Sequence, residues 1–269
     1  MIDPLELTRM LREIVCKEES GIVLRRYWRF RGGQWYGGIA TADCVGCNLR
    51  CKFCGPVLYM TKKKLLGALE TPKNVAKKLV SIALKHNYRY LRISGGEPTI
   101  CPEHLFQLLD ALREYPFIFI LETNGILLGY DKSIVEQLSQ YRNVHVRISI
   151  KGTNPLEFQE LTMADKKFFE YQLRALKNLL DYELSFHPAV VASFTTPQNI
   201  EKLRRELANI DPSLAEHLEI EYIVLYPHVI ESLIKHKLFP KRAYTMKWEL
   251  IGEEDFKRRL LKEYGDNYS

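Results

Sequence analysis

Cys47, Cys51 and Cys54, spaced Cys-x3-Cys-x2-Cys, are the residues of this chain whose type and interval most directly imply chemistry. Thiolates ligate zinc and iron–sulfur clusters, and closed sites of either kind normally take four protein ligands. Three thiolates leave one metal position for a ligand that is not protein. Two inert readings compete: positions i, i+4 and i+7 share a helix face, where cysteine is a good small core residue, and two of the three could pair as a disulfide. Against them, Arg50 and Lys52 interrupt the stripe, Gly46 and Gly55-Pro56 bound the segment, and the triplet has an odd member. Cys44 adds a four-ligand alternative with Cys47, Cys51 and Cys54, a closed zinc or ferredoxin-like site, although spacing so dense leaves little chain between ligands. Cys16 reads as a bystander, and Cys101 stands just after Gly95-Gly96-Glu97-Pro98 with no role evident.

The elements that must position the cysteines alternate along the chain. Residues 36–41, 89–94, 117–123, 144–150, 184–194 and 218–226 read as strands. Helical periodicity lies between them at about 72–86, 105–112, 132–141, 165–181 and 200–210. Six alternations with short links predict a parallel sheet. Phe117-Ile118-Phe119-Ile120-Leu121 is apolar throughout, as suits a strand covered on both faces. Polar residues and glycines gather just after the strands: Gly95-Gly96-Glu97, Glu122-Thr123-Asn124, Ser149 with Lys151, and His228. Any one of these links is ordinary turn chemistry. Together with the cysteines they point to one site at the carboxyl edge, where parallel sheets carry their chemistry.

The flanks are less specific. Residues 5–19 read as an amphipathic helix through Leu5, Leu7, Met10, Leu11, Ile14 and Val15. Arg25–Arg31 mixes arginine with Tyr27, Trp28 and Phe30 before Gly32-Gly33, which predicts a hairpin. It reads either as a docking surface for an anionic or stacking partner such as RNA, or as an edge hairpin whose arginines face water. Residues 230–238 and 253–264 read as helices of a tail. With 269 residues, 46% of them hydrophobic and 27% charged, the chain has the composition of a soluble globular protein of one large domain or two small ones. A net charge of +6 permits a nucleic-acid partner without requiring one. No apolar run approaches the roughly 20 residues that cross a bilayer, and the N-terminus lacks the pattern of a signal peptide. No membrane association, a cytoplasmic setting and reduced cysteines are the expectation.

The cysteine spacing after a first strand, Phe53 just before the last cysteine, and Gly95-Gly96-Glu97-Pro98 after a second strand resemble the radical S-adenosylmethionine (radical SAM) superfamily. The resemblance implies an α/β fold, a partial (β/α)6 TIM-like barrel over residues 36–228. Residues 1–35 would form an N-terminal helix and hairpin extension, and 229–269 a helical tail. It also implies that Cys47, Cys51 and Cys54 hold a 4Fe–4S cluster whose remaining iron binds S-adenosylmethionine. An electron from the cluster then cleaves the sulfonium to methionine and a 5′-deoxyadenosyl radical, which takes hydrogen from a substrate. By the same resemblance Gly95, Gly96 and Glu97 meet the methionyl end of the cofactor and Phe53 lies by its adenine. An external electron donor of ferredoxin or flavodoxin type is implied as a partner.

Two further stretches resemble the glycyl-radical-activating branch, the enzymes that activate pyruvate formate-lyase. Leu121-Glu122-Thr123-Asn124-Gly125 is similar to its Asp-Thr-Asn-Gly loop, and Val224-Leu225-Tyr226-Pro227-His228 to its Leu-Leu-Pro-Tyr-His. Ser149-Ile150-Lys151 stands where that branch has Asp-Leu-Lys. This adds Thr123, Asn124, Ser149, Lys151 and His228 as candidate cofactor contacts and a protein glycine as candidate substrate. RNA or a small metabolite is the alternative substrate. Glu122 and Ser149 replace the branch's aspartates, which departs from its monovalent-cation site.

Overall fold

The computed structural model describes residues 1–54, 60–61 and 64–264, and the expected boundary at Gly55-Pro56 lies outside them. An N-terminal helix α1 (Pro4–Val15), capped by the Asp3 carboxylate, runs into strands β1 (Cys16–Glu19) and β2 (Ile22–Gly33). The amphipathic reading of 5–19 therefore overshoots, because Cys16–Glu19 pairs antiparallel with β2 instead of continuing the helix. A tight turn at Trp35–Gly37 leads to β3 (Ile39–Cys44), the first parallel strand. Tyr36, read as strand, sits instead in that turn with φ 57°.

Beyond the cysteine loop come three short strands, β4 (Met60–Thr61), β5 (Lys64–Leu65) and β6 (Ala68–Glu70), and helix α2 (Pro72–His86), capped by Thr71. The core continues through β7 (Tyr90–Gly95), α3 (Pro102–Leu112) and β8 (Ile118–Thr123). Helices α4 (Ile126–Tyr130) and α5 (Lys132–Leu138) precede β9 (Val144–Ile150). The helix read at 165–181 is α7 (Phe169–Asp181), which starts later, after a turn at Lys166–Phe168. It is preceded by a helix the sequence reading did not assign, α6 (Pro155–Thr162), capped by the Asn154 side chain over Leu156 and Glu157. Next are β10 (Ser185–Val191), α8 (Pro197–Ile210), α9 (Pro212–Glu216) and β11 (Glu219–Glu221). The tail holds α10 (Pro227–Lys235), β12 (Arg242–Tyr244), β13 (Leu250–Gly252) and α11 (Glu253–Tyr264), the two strands forming a hairpin unforeseen in the sequence.

The main sheet runs β1-β2-β3-β7-β8-β9-β10-β11, with β6 on β2. From β3 to β11 every pairing is parallel, which makes the expected six-stranded partial barrel, while β1, β2 and β6 add an antiparallel edge. The hydrophobic core lies between this sheet and its helices, with Leu79, Leu91, Leu105, Phe119, Val146 and Leu176 all sealed from solvent. The inner face of the sheet differs. Alternate residues place Thr41, Asp43, Arg92, Glu122, Arg147 and Glu219 there, whereas a closed eight-stranded barrel fills its interior with branched apolar side chains. The barrel therefore encloses a charged lumen, and no helix among the described residues is long and apolar enough to cross a membrane.

Strand β2 does not present its arginines to one face. Opposite β3 its register shifts, so that Tyr27 pairs with Cys44 and Arg29 with Asp43, two residues advancing on one strand for one on the other. This is the geometry of a β-bulge. Tyr27 and Phe30 stay on the helix side, 5.6 Å apart between ring centroids, while Arg29 and Arg31 turn to the lumen and bind Asp43. Arg25 is buried and donates to the Glu97 carbonyl, and Arg26 donates to the Gly67 carbonyl. Neither expectation for this stretch holds as stated: its arginines are divided among three environments and form no basic surface.

Candidate active site

The cysteine loop leaves the end of β3 and is fixed mainly through its backbone. Gly96 N–H donates to the Cys44 carbonyl at 2.8 Å and Glu97 N–H to the Gly46 carbonyl at 2.7 Å. Lys52 N–H reaches the Leu161 carbonyl at 2.8 Å, and Ser232 Oγ on α10 donates to the Lys52 carbonyl at 2.7 Å. A Cβ on Gly96 would lie 2.1 Å from the Gly46 oxygen, and one on Gly95, whose φ is +88°, 2.9 Å from the Cys44 oxygen. Both glycines are thus required by the approach of the chain to itself, before any ligand is considered.

Cys47, Cys51 and Cys54 are thiols rather than disulfide partners. Burial, with the charges of Glu97 and the neighbouring thiols added, pushes the Cys47 thiol well above its ordinary range. Burial likewise pushes Cys51 up to about 12, with nearby Lys151 opposing the shift and Cys54 adding to it. Without a metal the Cys47 and Cys51 thiols are therefore protonated at neutral pH, and a metal must displace their protons. Among the described residues no group of three Cys, His, Asp or Glu side chains is gathered so that it could hold a metal ion as it stands. The donor set nevertheless fits an iron–sulfur cluster: three soft ligands on one anchored loop, coupled electrostatically. Cys44 stands apart from that set. It sits on β3 opposite Tyr27, next to lumen-facing Asp43, and its thiol meets buried Arg25.

Glu97 is held by several donors of its own chain. The side chain is 2% exposed, and one oxygen accepts Thr99 N–H at 3.1 Å, Thr99 Oγ1 at 2.7 Å and Thr123 Oγ1 at 2.7 Å. The other accepts Asn124 N–H at 2.8 Å. Three donors crowd Oε1 and one meets Oε2, so most of the acceptor capacity is used within the chain and Oε2 keeps one site open. Glu97 locks the turn after β7 to the turn after β8. Asn124 carries that lock to the cysteine loop, its Nδ2 lying 2.8 Å from Asn48 Oδ1 and 3.9 Å from Cys47 Sγ.

The remaining candidates fall into two groups. Lys151 donates to Ser149 Oγ at 2.6 Å and lies near Cys51. Phe53 packs on Phe194, 5.3 Å between centroids, and lines with Cys54, Gly95 and His228 the upper part of a cavity of about 810 Å³. His228 opens α10 and stacks against Tyr226. The cavity continues down the lumen to residues the sequence reading missed. Arg92 bridges Thr41 Oγ1 and Glu122 Oε1 at 3.0 and 2.8 Å, so Glu122 is committed to a lumen arginine. Arg147 binds both oxygens of Glu219 at 2.8–2.9 Å and reaches Glu221 at 3.2 Å. Glu219, although burial pushes it up, is held down to about 2 by His187 and Arg147. Period-two charge in otherwise apolar strands, as in Arg92-Ile93-Ser94 and Arg147-Ile148-Ser149, was the signal available for these residues.

Cys16 and Cys101, 85 residues apart, are joined as a disulfide with Cα atoms 6.4 Å apart. Cys16 is not a bystander, and the expectation that every cysteine is reduced does not hold for this pair. The bond ties β1 to the N-cap of α3, where Arg12 also binds the Ile100 carbonyl and Glu103.

Fold and site together define an α/β partial-barrel protein with a thiol loop at the carboxyl edge of a parallel sheet. The sequence pattern of the radical SAM superfamily matches residues 43–207, more than half of the chain, and the chain belongs to that superfamily. It is accordingly an iron–sulfur enzyme of the kind that uses a 4Fe–4S cluster and S-adenosylmethionine. It is 24% identical over 226 residues to a GTP 3′,8-cyclase of Crocosphaera subtropica, covering 81% of this chain and 63% of that protein. It is 27% identical over 158 residues to a 7-carboxy-7-deazaguanine synthase of Methanopyrus kandleri, covering 53% of this chain and 62% of that one. The chain thus spans less than two thirds of either relative. Among solved structures, native anSMEcpe with bound AdoMet shares the fold at a TM-score of 0.50 and 22% identity, over 71% of this chain and 56% of that one.

Proposed function

We propose that this chain cleaves S-adenosylmethionine reductively and takes a hydrogen atom from a small metabolite held in the charged lumen. The observation that carries this reading is the continuity of one cavity from Cys54, Phe53 and His228 to the charged side chains below them. In it Cys47, Cys51 and Cys54 would hold the cluster, which when bound would supply the electron for reductive cleavage of S-adenosylmethionine. Every other contribution comes from the chain. Gly95, Gly96, Glu97, Thr123 and Asn124 keep the cysteine loop in register with the sheet, because each hydrogen bond or close approach among them crosses between two loops. Lys151, oriented by Ser149, offers ammonium donors to the carboxylate of the cofactor. Phe53 and His228 offer ring faces at the upper cavity wall.

The small-metabolite reading draws support from two relatives named for small molecules, GTP and a deazaguanine. A protein glycine as substrate is the weaker reading, since Glu122, the residue at the activating-branch aspartate, is spent on Arg92. RNA loses its motive with the dispersal of Arg25–Arg31. The electron donor in this reading is a ferredoxin or flavodoxin. Anaerobic reconstitution, reduction and chromatography for 5′-deoxyadenosine test the proposal, followed by deuterated metabolites screened for label in that product. Formation of 5′-deoxyadenosine with deuterium from a metabolite is the expected result. An intact cluster that leaves S-adenosylmethionine uncleaved, or label arriving only from a partner protein, would overturn it.

A further inference from the structure

We infer that the substrate carries a phosphate or carboxylate group and that Arg29 and Arg31 bind it. The inference rests on the small-metabolite reading above and adds a recognition element to it.

Asp43 is buried, and two guanidinium groups converge on it: Arg29 through Nε at 2.8 Å, Arg31 through Nε at 2.9 Å and Nη2 at 3.2 Å. One arginine would neutralise one carboxylate. The second brings a cation with no counter-charge of its own among the described residues, on a strand whose bulge turns both side chains inward. Elsewhere in the lumen the balance differs. Arg92 faces a single carboxylate in Glu122, and Arg147 faces two in Glu219 and Glu221. The lumen is therefore polarised, with positive charge in excess at the β2 edge and negative charge in excess at the β11 edge.

Arg29 is the more available of the pair. Its side chain is 46% exposed, it lines the cavity, and it gives Asp43 only its Nε. Its Cζ lies 4.2 Å from the centroid of the Trp28 ring, a stacking contact that steadies the guanidinium plane. A carboxylate behind and an indole beside it leave the terminal amino groups as an oriented fork. Such a fork matches the paired oxygens of phosphate or carboxylate, which a lysine ammonium does not.

Calorimetry on the anaerobically reconstituted full chain, with pyrophosphate and malonate as probes at low salt, tests this assignment. At least one anion should bind the wild type. Arg29→Gln, which leaves Arg31 paired with Asp43, should weaken that binding by about tenfold or more, and Arg29→Lys should fall between. Binding of pyrophosphate alone identifies a phosphate site, and binding of malonate alone a carboxylate site. Wild-type protein that binds neither, or Arg29→Gln that binds as tightly as wild type, overturns the inference. Should Arg29→Gln not fold, phenylglyoxal labelling of the wild type followed by peptide mass spectrometry decides: the binding anion must slow modification of Arg29, and equal labelling with and without it overturns the inference. A wild type that produces 5′-deoxyadenosine but binds neither probe sinks only this inference. One that produces none sinks the proposed function instead.

Discussion

The turn after β7 and the wall of the lumen each bury one carboxylate to the same depth, 2% exposed, and surround it differently. Glu97 takes neutral donors from Thr99, Thr123 and Asn124, all within the chain and all sealed from solvent. Asp43 takes two cations, and those cations stand in the cavity. A buried acid held by several neutral donors of two different turns fixes their geometry. A buried acid that aims cations passes binding capacity outward. The chain thus separates two tasks that the sequence presents alike, as single acidic residues at strand ends: one acid holds the cysteine loop in place, and the other prepares a surface for substrate.

The largest expected effect lies on the loop that Glu97 supports. Cys47→Ala, Cys51→Ala or Cys54→Ala should abolish bound iron and the iron–sulfur absorption after reconstitution, whereas Cys44→Ala should retain both. An iron assay and a spectrum decide, and loss in Cys44→Ala would move the ligand assignment. Next, Glu97→Gln should cost about 3 kcal/mol or more in urea unfolding, since an amide places donors where the chain already supplies donors. A cost below about 1 kcal/mol would mean that the turn is as adaptable as the lumen, and the contrast would fail.

His104, in the first turn of α3, sharpens the comparison through pH. Burial lowers it to about 4, with Val23 opposing and Arg25 adding to the shift, so the folded chain holds it neutral, bonded to the Val23 carbonyl at 2.6 Å and the Tyr27 hydroxyl at 3.0 Å. The unfolded chain takes up this proton first as pH falls. The contribution is complete above about pH 6.5 and is lost progressively as pH drops through about 4. Urea titrations across that window should show a total loss of about 3 kcal/mol, and His104→Gln should remove that dependence. The smallest effect belongs to the lumen. Tyr36→Phe removes a 3.2 Å bond to Glu122, which keeps Arg92, and should cost about 0.5–1 kcal/mol. A loss several times larger would show the lumen wall to be as rigidly committed as the turn.

What the sequence disclosed was local. The cysteine spacing, Gly95–Pro98 and the run of strands from β7 to β10 were legible because each pattern completes itself within a few residues, and β9 matches its expected span of 144–150. What stayed hidden depends on partners distant in the chain. The structural role of Glu97 was hidden because Thr123 and Asn124, which donate to it, lie 26 and 27 residues away. Cys16 and Cys101 gave no local sign of each other. The last parallel strand shrank from the expected 218–226 to Glu219–Glu221, because the chain after it leaves the sheet and Leu225 N–H turns to the Tyr244 carbonyl of the tail. The arginines of β2 were misjudged because strict alternation assigns Arg25, Arg29 and Arg31 to one side.

The bulge between Tyr27 and Arg29 also bears on how this protein can change over evolution. It absorbs one residue, so loss of Trp28 would restore regular alternation while leaving Tyr27 and Phe30 toward the helices and Arg29 and Arg31 toward the lumen. A one-codon deletion there would strip the indole from the cavity wall and spare both arginines. Deletion of a residue elsewhere in a paired strand would instead reverse every side chain beyond it. The bulge is thus a point where substrate preference can be edited by an indel without recasting the barrel.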